Sequence, residues 1–242
     1  MALLTEEDVR RMSDDGRRGP VVVGRGEVLT PGARDWRKEH KVAVVWPAGR
    51  EEPGAAPAPK YQTLFGAALT EKPEHMTHLK GNILVFKDHP RIAFRGWIDL
   101  LEAEILLTQR TAAEAGHGRL AEELEEVLAF VRRYIRCDVL DEPVGEIRLC
   151  GYTAGQLREY SHYPEKHLGQ PHFLPRYTDD PALLAVNRLR TVVRQTELAA
   201  YAAFRDADGN VTRGDMILGL NRLSSLMWIM MIKLKAGRYE RS

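Results

Sequence analysis

Arg190, Arg194, Glu197 and Tyr201 recur at i, i+4, i+7 and i+11, a spacing that lines side chains along one face of an α-helix. Two guanidinium groups one turn apart can grip an oxyanion, because each planar fork binds phosphate or carboxylate oxygens in pairs. Glu197 on the same face can hold one arginine in its rotamer or serve magnesium beside phosphates. A solvated outer face laced by an Arg–Glu pair is the plainer alternative. The next segment weighs against it: Met216, Ile217, Leu220, Leu223, Leu226, Met227, Trp228, Met230 and Met231 are apolar almost all round, the mark of a buried helix. Asn221 and Arg222 lie inside that helix, and a buried arginine needs an anion or a carboxylate. Guanidinium groups on two adjacent helices suit a phosphate chain. A further acid, Asp99, sits among apolar residues; it is either the edge of an amphipathic face or the partner of an inward arginine, and spacing leaves both open.

These residues must be positioned by helices. The stripe Ile92, Trp97, Leu101, Ile105, Leu106 and the stripe Leu120, Leu124, Val127, Leu128, Val131, Tyr134, Ile135 have helical period, with Ala115-Gly116-His117-Gly118 as the turn between them. A short helix is expected at 154–160, a Pro-rich loop at 163–175, and long helices at roughly 181–205 and 212–236, joined by Asp206-Ala207-Asp208-Gly209-Asn210. The fold expected is all-α, a four- to five-helix bundle over 61–242 with no internal repeat. Residues 1–46 read as a small mixed α/β unit, with a Thr5-x-x-Asp8 box, Val21–Val23, a Thr30-Pro31 helix start and Val42–Trp46. Residues 47–60, with four prolines and two glycines, read as a linker.

Composition excludes several classes. The 35 basic and 34 acidic residues nearly cancel, so no broad positive field recruits nucleic acid or an anionic membrane. Cys137 and Cys150 form no CxxC pair, which argues against a disulfide framework or thiolate zinc site and fits a reducing cytosol. The stretch MALLTEEDVRRM lacks the apolar run of a secretory leader, and the uninterrupted apolar run Leu226–Ile232 is far below the ~20 residues a bilayer needs. A cytoplasmic protein is expected.

Three strings in order carry a resemblance: Lys87-Asp88-His89-Pro90-Arg91-Ile92-Ala93-Phe94-Arg95-Gly96 ahead of Asp99, then Leu189-Arg190-Thr191-Val192-Val193-Arg194-Gln195-Thr196-Glu197, then Leu220-Asn221-Arg222-Leu223-Ser224-Ser225. The chain resembles the cobalamin adenosyltransferases of the propanediol- and ethanolamine-utilisation types. Thr77-His78-Leu79, Asp141-Glu142-Pro143, Ser161-His162 before Pro164, His172 before Pro175, and Leu29-Thr30-Pro31 are closer to the ethanolamine branch. The resemblance implies a bundle, commonly a homotrimer, in which ATP and corrinoid meet between neighbouring subunits. By position it implies ATP contacts from Arg190, Arg194, Glu197 and Asn221, a phosphate contact from Lys87, with Thr77 and His78 nearby, and Asp99 as partner of the motif arginine. Arg190, Arg194 and Asp99 are thereby the candidate catalytic set. In that chemistry a Co(I) corrinoid attacks C5′ of ATP, so the protein orients, neutralises charge and excludes water, with no general base. Phe173, His172 and Phe94 are the candidate corrinoid contacts, Phe173 being the apolar side chain that would displace the lower axial ligand. Glu197 is the candidate ligand for Mg2+, and a B12-dependent lyase or dehydratase, or its reactivase, the expected partner, with a bacterial microcompartment as a further possible address.

Two features depart from the family pattern. The Gly/Thr-rich phosphate segment of the propanediol branch is absent, with Thr77 to Asn82 in its place. Residues 60–76 hold none of the cysteines with which many ethanolamine-branch members build a soft metal site, so only magnesium with ATP is expected. Other signals point elsewhere. His162, His167 and His172 recur every five residues, neither a helix nor a strand period, which argues against a zinc site. Glu114-x-x-His117 is half of a di-iron motif at a glycine turn. Gly24-Arg25-Gly26 lacks the third glycine of a dinucleotide fingerprint. Lys233, Lys235, Arg238 and Arg241 complement a helix C-terminus. Besides an adenosyltransferase, the sequence admits a non-catalytic corrinoid carrier or regulator, given Ser225 where the propanediol branch has an acid, and a stripe that is only a subunit contact. The first helix is either a packaging tag or a cap on the bundle.

Overall fold

The computed structural model describes residues 2–13, 20–46 and 58–239. The chain divides into two compact units, 1–58 and 59–242. Most of the expected linker, and Arg241, lie outside the described residues.

The first unit runs β1 (Ala2–Leu4), α1 (Glu6–Ser13), β2 (Val21–Val22), β3 (Glu27–Leu29), α2 (Pro31–Glu39), β4 (Val44–Val45). It is a strand–helix–strand arrangement made twice, with β1 parallel to β3 and β2 parallel to β4. Thr30 caps α2 by accepting from Ala33 N at 3.4 Å, and Pro31 occupies the first turn, where its missing N–H costs nothing. Val9, Val21, Val23, Leu29, Ala33 and Trp36 form the unit's core. The apolar side of α1 meets this core through Val9.

The second unit opens on β5 (Tyr61–Thr63), β6 (Ala68–Leu69), β7 (Met76–Lys80) and β8 (Ile83–Phe86), a four-stranded sheet ordered β6-β5-β8-β7 in which only β5 and β8 pair in parallel. The helices follow: α3 (Pro90–Glu114), α4 (Gly118–Leu140), a small β9 (Arg148–Leu149)/β10 (Tyr152–Thr153) hairpin, α5 (Ala154–His162), α6 (Pro164–Leu168), α7 (Pro181–Phe204) and α8 (Gly214–Lys235). The bundle is built from α3, α4, α7 and α8, with α5 against α8. His89 and Asp180 cap α3 and α7, each ahead of a proline and each accepting from a backbone N–H two residues on.

Ile98, Leu101 and Ile105 of α3, Leu124 and Val131 of α4, Val186 and Val193 of α7, and Leu223 and Met227 of α8 meet in one fully buried core. Each such side chain contributes about 1.5–3 kcal/mol by leaving water. α8 is long and apolar enough to cross a membrane by length and composition, although its longest uninterrupted apolar run is short; more than half of that stretch is buried in the bundle. Gly219 lets α4 approach α8: the Tyr134 hydroxyl lies where a β-carbon would stand and donates to Met216 O at 3.2 Å.

A buried acid fixes the sheet against the helices. Asp138 of α4, with no exposed surface, accepts from Arg91 Nε at 2.7 Å and Arg95 Nε at 2.6 Å, and Arg95 continues to the carbonyls of His78 and Leu79 on β7. Charge compensation makes this burial tolerable, because two guanidinium groups satisfy one carboxylate. The α3–α4 turn is tied down by His117, whose Nδ1 faces Tyr239 O at 2.8 Å and whose Nε2 faces Asp180 at 3.1 Å. His117 is thereby a core clamp, while Glu114 pairs outward with Arg110.

Candidate functional site

α7 and α8 run antiparallel. Asn221 meets Glu197 near the middle of the pair, and Arg190 meets Trp228 further along. Beside them a cleft of about 470 Å³ opens between Arg190 and Arg194 on α7, Ser224, Ser225 and Trp228 on α8, and the loop after α6 carrying His172 to Pro175. The amphipathic pattern of α7 explains the placement: Leu189 and Val193 turn into the core, so Arg190 and Arg194 are carried to the adjoining side.

Among the described residues no acid pairs with either arginine. Arg190 is half-buried; its Nη2 donates to Asn187 Oδ1 at 3.3 Å and its guanidinium lies 5.8 Å from the Trp228 ring centre. Its Nε is sealed from solvent and has no hydrogen-bond partner among the described residues. Burial, and then the charge of Arg194, hold the Arg190 pKa below its ordinary value. Arg194 is exposed and forms no ion pair or hydrogen bond among the described residues. A buried donor without an acceptor costs about 1–3 kcal/mol, so the Arg190 Nε carries a standing penalty among the described residues.

Glu197 does not hold either arginine. It accepts from Asn221 Nδ2 at 2.9 Å, and Asn221 Oδ1 accepts from Arg222 Nη1 at 2.7 Å. Burial and the nearby Arg158 push the Arg222 pKa down, with Glu197 acting against them. Of the two roles open to Glu197, direct support of an arginine is not found among the described residues, and its second oxygen has no hydrogen-bond partner there.

The other expected residues are placed as follows. Asp99 is exposed on α3, with no hydrogen bond or ion pair among the described residues, and does not reach Arg190 or Arg194 within the chain. The acid of α3 that does meet α7 is Glu104, bound to Arg188 through both oxygens at 2.8 and 2.7 Å. Thr77 and His78 lie on β7, and Lys87 is exposed just after β8. They sit at the end of the bundle where Phe94 meets Phe204. Fourteen residues of helix separate Arg190 from Phe204, about 20 Å at ~1.5 Å per residue, so Arg190 stands well away from that end of the bundle. Phe94 is fully buried, edge-on to Phe204 at 5.4 Å. Its assignment to the corrinoid is corrected: it has no surface to offer a ligand.

Phe173 and His172 do reach the cleft, each stacked on Trp228, at 5.2 and 5.8 Å. Their neighbour Leu174 is 88% exposed at the rim. His162 also lines the cleft, its Nδ1 facing Arg158 O and its carbonyl 3.3 Å from His172 Nε2, whereas His167 stacks on Tyr160 at 4.3 Å. Sequence reasoning missed Trp228 as a site residue, because in an all-apolar helix it reads as core. It also missed Ser224, although its motif was in view.

A family model described as Cobalamin adenosyltransferase matches residues 68–234. The chain is 33% identical over 164 residues to "Corrinoid adenosyltransferase EutT" of Escherichia coli (strain K12), and 32% identical over the same length to the protein of that name from Salmonella typhimurium. In both cases the match takes in 68% of this chain and 60% of the relative's own length.

Proposed function

The chain belongs to the cobalamin adenosyltransferase family, and on that footing we propose that it transfers the 5′-deoxyadenosyl group of ATP to a Co(I) corrinoid, releasing triphosphate. The observation that carries this reading is the Arg190–Arg194 pair: two guanidinium groups one turn apart, without an acid, facing a cleft with the hydroxyls of Ser224 and Ser225. Such a pair fits a polyphosphate better than a monoanion, because adjacent phosphates can neutralise both charges.

In the proposed reaction cobalt in the corrinoid substrate donates its electron pair to C5′, the C5′–O bond breaks, and the electrons leave on the triphosphate. Arg190 and Arg194 hold that leaving group and stabilise its charge as it develops. The free oxygen of Glu197 would hold Mg2+ together with the phosphates, the ion neutralising further phosphate charge when bound. Phe173 and Leu174 bring apolar surface to the cleft mouth and exclude water from the reacting atoms. No side chain is asked to take up a proton.

The split of the ATP set favours a site closed between copies of the chain, with Lys87 and Thr77 of one meeting Arg190 and Arg194 of the next. Asp99, exposed on α3 and without an ion pair among the described residues, is suited to such a junction. The half-exposed Leu100, Leu107 and Leu198, on the adjacent helices α3 and α7, supply apolar surface for it. A homotrimer in the cytoplasm is the proposed state, supplying a B12-dependent lyase or dehydratase such as one for ethanolamine; a microcompartment is its proposed address.

The test is to mix the protein with MgATP and chemically reduced cobalamin. Formation of a Co–C bond by absorbance, with triphosphate released in equal amount, is expected. Tight corrinoid binding with neither product would replace the reading with that of a carrier.

A further inference from the structure

Trp228 has no place in the reaction proposed above, yet it is where the cleft's parts converge. Its indole meets the Arg190 guanidinium at 5.8 Å, the Phe173 ring at 5.2 Å with the planes 22° apart, and the His172 ring at 5.8 Å with the planes 15° apart. It stands one helical turn beyond Ser224 and Ser225 on α8, so a rigid helix carries it along the cleft wall. It is only partly buried, though both flanking residues are fully buried.

Arg190 needs such support. Its only hydrogen bond among the described residues runs to Asn187 at 3.3 Å, a weak tether for a long side chain with several rotatable bonds. Its Nε has no acceptor. No carboxylate holds the group in place, and one that did would compete with the incoming anion. An aromatic face is the alternative that fixes a guanidinium and leaves its N–H donors free, since the attraction comes from the ring quadrupole. The same ring receives Phe173 and His172, so it also sets where the loop after α6 lies against the arginines.

We propose that Trp228 is a positioning residue: its indole holds Arg190 ready for the triphosphate and anchors the His172–Phe173 loop against the same arginine. This rests on the anion-site reading of Arg190 and Arg194, and a probe lacking adenosine separates the two claims. Inorganic tripolyphosphate is titrated calorimetrically into the unaltered protein, Trp228→Leu and Trp228→Phe at fixed ionic strength, with a thermal melt of each. Leucine keeps apolar bulk and removes the ring; phenylalanine keeps a ring face.

Trp228→Leu is expected to weaken tripolyphosphate binding roughly tenfold, the scale of a desolvated cation–π contact, while Trp228→Phe stays within about threefold of the unaltered protein. In adenosyl transfer, Trp228→Leu should raise KM for ATP by a similar factor and, through the displaced loop, also lower kcat, with phenylalanine restoring most of both. Tripolyphosphate binding by Trp228→Leu equal to that of the unaltered protein would overturn the inference alone. So would equal losses in the two variants, because the ring would then not be the agent. If the unaltered protein does not bind tripolyphosphate, the anion-site reading fails and this inference falls with it.

Discussion

Replacing Arg194 with alanine should move stability and ligand affinity in opposite directions. Arg194 sits one turn from Arg190 and, among the described residues, leaves no carboxylate or amide unpaired when it is removed. Like charges at i, i+4 destabilise a helix by about 0.2–0.5 kcal/mol, so the alanine variant should be more stable by up to that amount. For a chain of this length that is a rise in Tm of about 1–2 °C. Triphosphate binding should change the other way. A charge-assisted hydrogen bond to phosphate contributes about 1.5–3 kcal/mol, so Kd for MgATP should rise roughly 10- to 150-fold. Arg194→Lys, which keeps the charge and loses the fork, should fall between. Calorimetric titration with MgATP and a thermal melt of the same preparation measure both quantities. Unchanged ATP affinity with weakened assembly would make the stripe a subunit contact; a stability loss above about 1 kcal/mol would make Arg194 a structural residue.

Three further outcomes follow from the packing. Gly219→Ala should lose about 1–2 kcal/mol net in urea unfolding, a clash with the Tyr134 hydroxyl outweighing the ~1 kcal/mol helix preference of alanine, and adding Tyr134→Phe should restore most of it. Asp138→Ala should lose about 3–5 kcal/mol by leaving Arg91 and Arg95 facing each other in a part-buried site, again read by urea unfolding. Burial, then the charges of Arg91 and Arg95, hold the His89 pKa below its ordinary value. The unfolded chain then binds more protons as pH falls below about 6.5, so stability should decline on that acid side, and His89→Asn, which can still cap α3, should flatten the decline in a pH series of melts.

The long helices are legible in the sequence because their signals are local. Apolar residues at helical spacing mark α3, α4, α7 and α8, Thr30-Pro31 marks the start of α2, and Gly116 and Gly118 mark the α3–α4 turn. The four-stranded sheet is not legible: its strands are two to five residues long, and the β5–β8 pairing is non-local. For the site, Arg190 and Arg194 could be found from spacing and their buried neighbour helix. Phe94 shows where resemblance outran periodicity, since it stands at i, i+4, i+7 and i+11 with Ile98, Leu101 and Ile105, a core stripe. The hydrogen bond from Asn221 to Glu197 was not legible, because the two residues lie 24 positions apart on different helices. Trp228 gains its meaning only when the His172–Phe173 loop folds onto it, a contact that no spacing within α8 encodes.

The most direct measurement is a crystal structure of the protein with MgATP. The triphosphate oxygens should lie about 3 Å from the guanidinium nitrogens of Arg190 and Arg194, with Lys87 of a neighbouring copy completing the site. A triphosphate bound elsewhere, with both guanidinium groups facing solvent, would contradict the assignment of this cleft.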